Sequence, residues 1–241
     1  MIYLFSDFSL NGPYVGQLKS AIYNNNKNSE VIDLMHDAPS FDIKHSALLL
    51  SNIKNHLSNN YICCCIVDPG VGGKRNGIVV CRNNNYFIGP DNGLFEYIYR
   101  TDESLTLYKI VWKPEYLSET FHGRDIFAPI AAQIDNGNFT GLDLINSNEV
   151  QRFAWEDDQY EIIYIDHYGN LMTGISASNI SKSSVLIFKK FKIEFSNTYE
   201  NMPEGQICWY INSCELVEIG CKNSNSAVKV SAQIGDYIEF L

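Results

Sequence analysis

The chain has 241 residues, enough for one large domain or two smaller ones around a substantial buried core. A hydrophobic share of 45% and a charged share of 19% are those of an ordinary folded protein and exclude a disordered one. The formal net charge of −10 argues against a protein that lives on nucleic acid, because phosphate binding needs a basic face.

Ile2–Phe5 is predicted as the first strand; the run has no basic residues before it and is too short for a signal or a membrane span. Tyr14–Tyr23 carries helical spacing at Val15, Leu18 and Ile22, and Val31–Leu34 reads as the next strand. A helix from about Asp42 to Leu57 follows, with Ile43, Ala47, Leu50, Ile53 and Leu57 on one stripe. Tyr61–Val67 is a near-continuous apolar run of the kind buried on both faces of a parallel sheet. Ile78–Cys81 and Tyr86–Ile88 read as a hairpin across Asn83-Asn84-Asn85, and Ile126–Ile134 as a helix whose first turn is restricted by Pro129.

After about Gly141 the pattern changes. Glu161–Ile165, Val185–Phe188, Phe191–Phe195, Gln206–Ile211, Leu216–Ile219, Ala227–Val230 and Tyr237–Phe240 are short strand candidates separated by turn residues, with no amphipathic helix among them. The expectation is an α/β domain with a central, mostly parallel sheet over residues 1–150, then a small all-β, barrel-like domain over residues 158–241. The boundary falls within Ile145–Asp158.

Seven cysteines raise the question of disulfides or a metal. Cys63, Cys64 and Cys65 are consecutive in a strand, so their side chains alternate between faces, and Cys208, Cys214 and Cys221 are too widely spaced for a CxxC knuckle. They read as buried free thiols, which points to a reducing cytoplasm, and no metal site is expected.

Four segments carry chemistry. Asp7, in Phe5-Ser6-Asp7-Phe8-Ser9, ends the first strand, where ligands of open α/β sheets bind; it is either a ligand carboxylate or a turn residue. Val67-Asp68-Pro69-Gly70-Val71-Gly72-Gly73-Lys74-Arg75 runs from a strand through a glycine-dense loop to two bases. It fails the phosphate-loop pattern: Asp68 stands six residues before Lys74 where a glycine is required, and Arg75 replaces the Ser/Thr. Its glycines let backbone approach a ligand. His122, in Thr120-Phe121-His122-Gly123-Arg124-Asp125, is the most suggestive of five histidines; His36, His45, His56 and His167 suit bland roles. The fourth is Asp166-His167-Tyr168-Gly169-Asn170, where a strand ends in a polar turn.

With Tyr14-Val15-Gly16 and Gly89-Pro90-Asp91-Asn92-Gly93-Leu94, these segments together resemble the SAM hydroxide adenosyltransferase (S-adenosyl-L-methionine hydrolase) family, related to the fluorinase and chlorinase enzymes. The match runs in order from residue 3 to about residue 240. It implies hydrolysis of S-adenosyl-L-methionine (SAM) to adenosine and methionine, with Asp68, Arg75 and His122 holding and activating the water. In the halogenases the position matching Asp68 is not acidic and the one matching His122 is not histidine, so the resemblance favours water over halide. For the substrate it implies Asp7 on the ribose hydroxyls, Phe41 and Phe121 lining the pocket, Asp166 and Asn170 on methionine and nucleoside, Tyr199 stacking on adenine, and Ser213 at the methionine end.

The chain departs from the family pattern at three places: Ser9 stands for a glycine, Gly12 for an aspartate that would contact the substrate ammonium, and Glu215 for a glycine. The resemblance further implies a homotrimer with sites between subunits, no cofactor besides SAM as substrate, and no nucleic-acid or membrane partner. The alternatives are a SAM- or nucleoside-binding protein without turnover, motivated by Gly12, and a SAM-dependent halogenase.

Overall fold

The computed structural model describes residues 1–100 and 104–241, the Tyr199 side chain excepted. It divides into two compact units, one of Met1–Ser51 with Leu57–Ala154, the other of Trp155–Leu241 with Asn52–His56.

The first unit is built on β1 (Ile2–Ser6), α1 (Tyr14–Asn25), β2 (Val31–Met35), α2 (Ile43–Ile53), β3 (Ile62–Ile66), β4 (Gly77–Arg82) and β5 (Asn85–Pro90). After these come the short helix α3 (Glu96–Tyr99), β6 (Thr106–Ile110), a π-helical turn over Gly123–Phe127, α4 (Ala128–Asp135) and β7 (Leu142–Ile145). The seven strands form one sheet in the order β2-β1-β3-β5-β4-β6-β7. Pairing is parallel from β2 to β5 and antiparallel from β5 through β7. β1 and β3 are buried on both faces, which accounts for the apolar runs Ile2–Phe5 and Ile62–Ile66. Ile2, Leu4, Ile62, Cys64 and Ile66 face Leu18 and Ile22 of α1 and Ile130 and Ile134 of α4. The alternate residues Tyr3 and Tyr61 join Phe87 and Phe95 in a chain of ring contacts at 5.6–6.3 Å.

The chain leaves β1 to one side for β2 and returns to the other side for β3. That reversal opens a crevice between the carboxyl ends of β1 and β3, where open α/β sheets bind ligands.

The hairpin forms as expected: Asn83 (φ 49°) and Asn84 (φ 60°) supply the two left-handed residues that a tight turn between β4 and β5 requires. The helix expected over Asp42–Leu57 is shorter; α2 begins after Asp42, whose carboxylate accepts the His45 N–H at 3.1 Å, and Lys54–His56 tightens into a 3₁₀ turn. The helix expected at Ile126 begins earlier, in the π-helical turn, where Ala128 N–H reaches back to the Gly123 carbonyl. β6 and β7 fall outside the strands expected from the sequence.

The second unit contains β8 (Gln159–Ile165), β9 (Leu171–Ser176), β10 (Leu186–Phe188), β11 (Phe191–Ile193), β12 (Ile207–Ile211), β13 (Leu216–Cys221), α5 (Ser226–Val230) and β14 (Glu239–Phe240). A four-stranded antiparallel sheet β12-β13-β9-β8 and a three-stranded sheet β11-β10-β14 enclose Ile162, Leu171, Leu186, Phe188, Trp209 and Ile219. The strand expected over Ala227–Val230 is a helical turn. The Asn225 side chain caps it by accepting the Val228 N–H at 2.8 Å, and Ser231 ends it at φ 53°. β9 falls outside the expected set. All seven cysteines are free, five of them buried. No helix among the described residues is long and apolar enough to cross a membrane.

Candidate active site

A cavity of about 340 Å³ opens at the crevice between β1 and β3, and its thirteen lining residues all belong to the first unit. Asp7 enters from the end of β1 and Asp68 from the end of β3. Phe121 and His122 enter from the segment leading into the π-helical turn. Phe41 stands at the rim, 78% exposed.

Three residues expected to act together are brought into contact. Arg75 Nε donates to Asp68 Oδ1 at 2.9 Å, Arg75 Nη2 donates to Asp68 Oδ2, and the same Nη2 donates to His122 Nδ1 at 2.9 Å. The Arg75 and Asp68 side chains are 8% and 5% exposed, so this is a buried, forked ion pair. Arg75 does not line the cavity: it stands behind Asp68 and His122 and holds both, its guanidinium 5.3 Å from the centre of the Phe127 ring. A guanidinium has no acceptor, so His122 Nδ1 must be the lone-pair nitrogen and Nε2 carries the proton. Burial and the Arg75 charge hold the His122 pKa below its ordinary value, against the opposing pull of Asp68 and Asp125.

Gly123 packs closely on the end of β3. A Cβ at that position would meet Ile66 Cδ1 at 3.0 Å, and Ile66 ends the strand that carries Asp68. The approach to His122 is braced by Asp125, whose Oδ2 accepts the Ser118 N–H at 2.8 Å while Arg124 pairs with both carboxylate oxygens.

Asp7 Oδ2 accepts the Phe41 N–H at 3.0 Å, and Phe41 is held at φ 61°. Burial pushes the Asp7 carboxyl up from the usual aspartate range, and nearby Asp68 adds to the rise, while N–H groups of Phe41 and of Asp7 itself oppose it. Next to this loop runs a chain of hydrogen bonds that no local pattern encodes. Ser6 Oγ lies 2.7 Å from His36 Nδ1, His36 Nε2 lies 3.0 Å from Asp33 Oδ1, and Asp33 Oδ2 accepts from Lys19 Nζ at 2.6 Å. His36 is 4% exposed and its carbonyl accepts the Ser9 N–H, so a histidine with a bland sequence context stitches the Asp7 loop to β2.

Phe8 and Tyr14 also line the cavity and form a three-ring cluster with Phe121, centroids 5.4–5.7 Å apart. Both lie in the motif around Asp7, but only the fold reveals that Tyr14, on the first turn of α1, turns back toward His122's neighbour.

Asp166, Asn170 and Ser213 belong to the second unit. Asp166 Oδ2 accepts from Asn170 Nδ2 at 2.9 Å and Asp166 Oδ1 accepts the Asn170 N–H at 2.8 Å, closing the turn between β8 and β9. Ser213 is exposed in the turn between β12 and β13. The Tyr199 side chain lies outside the described residues. Among the described residues no group of three or more His, Cys, Asp or Glu side chains converges as a metal site.

The sheet and cavity define an α/β protein with an ion-paired acid and a neutral histidine facing a cavity at the topological switch point. Residues 2–143 match the family described as SAM hydroxide adenosyltransferase N-terminal domain, and residues 160–239 match its C-terminal domain. The chain belongs to the SAM hydroxide adenosyltransferase family. It is 30% identical to the (R)-S-adenosyl-L-methionine hydrolase of Methanocaldococcus jannaschii, covering 100% of this chain and 95% of that protein. It is 25% identical to the hydrolase of the same name from Thermus thermophilus, covering 100% and 99%. A crystal structure of an uncharacterised conserved protein from Thermotoga maritima superposes with a TM-score of 0.88 at 25% identity, covering 100% of this chain and 99% of that one.

Proposed function

We infer that this chain hydrolyses S-adenosyl-L-methionine to adenosine and methionine by displacement at C5′. The observation that carries the reading is the contact of Arg75 with Asp68 and His122, which both line the cavity, within a chain related end to end to enzymes named for that hydrolysis.

In the proposed reaction a water oxygen forms the new bond to C5′, the C5′–S bond breaks with its electron pair passing to sulfur, and one water proton is lost. Methionine leaves as a neutral thioether, so the carbon needs only a positioned oxygen nucleophile. His122 Nε2–H donates to that oxygen and orients it, because Nδ1 is already engaged by Arg75. The same engagement makes His122 a poor base in this tautomer. Asp68 is then the group to take the proton: each of its oxygens accepts one bond from Arg75 and keeps a second lone pair. Arg75 fixes both partners and balances the carboxylate charge. The Asp68 charge also disfavours a halide nucleophile.

Asp7 is proposed to accept the ribose hydroxyls, with Phe41 and Phe121 against the nucleoside. Asp166, Asn170, Tyr199 and Ser213 are proposed to act from a neighbouring subunit of a homotrimer, which suits a cavity lined by the first unit alone. The proposal includes no cofactor, since a sulfonium carbon is already activated. It includes no nucleic-acid or membrane partner, in keeping with the acidic chain, and a cytoplasmic setting, in keeping with seven free thiols.

The test is incubation with SAM in halide-free buffer made with oxygen-18 water, followed by mass spectrometry. Catalytic formation of adenosine carrying the label at its 5′-hydroxyl is expected. SAM binding by calorimetry with no product would return the chain to the binding-protein reading.

A further inference from the structure

The segment Gly89-Pro90-Asp91-Asn92-Gly93-Leu94 is among the most distinctive of the sequence, yet none of its residues lines the cavity. Its place in the sheet explains what it does. The parallel ladder between β3 and β5 pairs Ile62 with Tyr86, Cys63 with Phe87 and Cys64 with Ile88, and stops there. β3 goes on, paired with β1 as far as Ile66. Beyond that point a side chain takes over from the ladder: Asn92 Nδ2 donates to the Val67 carbonyl at 2.9 Å. Asn92 Oδ1 accepts the Leu94 N–H at 3.2 Å, which fixes which end of the amide is the donor.

Val67 is the residue before Asp68. The residue after Arg75 is held from the same place, because the Asp91 N–H donates to the Asn76 carbonyl at 2.9 Å. Two adjacent residues therefore grip both ends of the loop that carries the ion pair. Inside the loop the backbone bonds are local turns, Val71 N–H to the Asp68 carbonyl at 3.2 Å and Gly73 N–H to the Gly70 carbonyl at 3.0 Å. Gly89 makes the grip possible. A Cβ there would strike the Cys65 carbonyl, so β5 runs closer to the end of β3 than any side chain would allow. Asp91 is itself anchored, its buried carboxylate accepting the Gln151 N–H at 3.0 Å.

We infer that Asn92 is a positioning residue for the displacement: its amide anchors the Val67 carbonyl and thereby sets where Asp68 stands relative to Arg75 and His122. This rests on the proposed role of Asp68. A loop released at Val67 leaves Asp7, at the end of β1, in place to hold the nucleoside, but it presents the Asp68 carboxylate off line. A misplacement of about 1 Å at a reacting group lowers rate by roughly 100-fold without a matching loss of binding.

The test is Asn92→Asp and Asn92→Ala in the full chain, read beside Asp68→Asn. Asn92→Asp keeps the shape and the acceptor for Leu94 N–H but turns an oxygen toward the Val67 carbonyl. Expected are a fall in kcat of about 10- to 100-fold, KM for SAM within about threefold, and adenosine binding by calorimetry unchanged. A kcat within about twofold of wild type in a folded Asn92→Asp protein overturns the proposal while an inactive Asp68→Asn leaves the hydrolase reading standing. Full activity of Asp68→Asn removes the role of Asp68, and the Asn92 proposal falls with it. Equal losses in kcat and adenosine binding, or failure of both Asn92 variants to fold, assign Asn92 to the fold and also overturn it.

Discussion

Arg75 Nη2 and His122 Nδ1 lie 2.9 Å apart, and because only the guanidinium can donate, this one contact fixes the histidine as a neutral ring with its proton on Nε2. The same guanidinium forks onto Asp68, so charge, tautomer and aim of the cavity floor are set by a side chain that does not touch the cavity.

The pH dependence follows from that contact. Burial first, and then Arg75, hold His122 below its ordinary value near 6.5. As pH falls past that value the unfolded chain takes up the proton before the folded one does. The stability His122 contributes is therefore complete above about 6.5 and is lost as pH falls through its lower folded value. Turnover is expected to hold steady through pH 6.5 and to decline only below it, where a proton on Nδ1 would face Arg75. A pH–rate profile of the wild type beside His122→Asn checks this. An inflection at or above 6.5 that vanishes in the variant would contradict it.

Arg75→Lys retains a positive charge but loses the fork. One ammonium cannot serve both Asp68 oxygens and His122 Nδ1 in the directions Arg75 uses. A fall in kcat of about 100- to 1000-fold is expected, with a smaller change in KM. Lysine is the variant to measure, because alanine would leave the buried Asp68 carboxylate unpaired, at about 3–5 kcal/mol of stability. Activity within a few-fold of wild type would remove Arg75 from the machinery.

Asp7→Asn probes the other half of the pocket. The Phe41 N–H occupies part of one Asp7 oxygen, and the rest of the carboxylate faces a partly buried cavity. An amide offers one acceptor where two are proposed to be used, and hydrogen bonds to a charged group are worth about 1.5–3 kcal/mol. KM for SAM is expected to rise roughly 10- to 100-fold with kcat changed much less, and steady-state kinetics separates the two. An unchanged KM would detach Asp7 from the ribose.

Much of this was legible in the residues because the chemistry sits where local pattern is strongest. β1 is apolar from Ile2 to Phe5 and β3 is apolar throughout, and Asp7 and Asp68 stand just beyond them, so both acids could be put at strand ends from the residues alone. The supports were not legible. Asn92 acts on Val67 across 25 positions and Ser6 on His36 across 30, and no periodicity encodes such pairings. In the second unit, Ala227–Val230 has strand-forming valines, but a capping asparagine two residues earlier won locally. β6 and β7 owe their existence to an antiparallel partner at the sheet edge more than to their own alternation.

The last prediction concerns a departure from the family pattern. Glu215 occupies φ 60°, a left-handed conformation that glycine reaches freely and a side chain does not. The turn is held by backbone bonds that glycine would keep, Glu215 N–H to the Asn212 carbonyl at 3.1 Å and Ala177 N–H to the Glu215 carbonyl at 2.8 Å. The glutamate side chain is exposed. Replacing it with glycine removes about 1–2 kcal/mol of left-handed strain and adds chain entropy to the unfolded state, which takes back part of the gain. Glu215→Gly is expected to be more stable by about 0.5–1 kcal/mol, a rise in Tm of roughly 1–4 °C for a chain of this size. Thermal unfolding followed by circular dichroism measures it. A lower Tm would mean that the glutamate side chain stabilises this turn by more than its backbone strain costs.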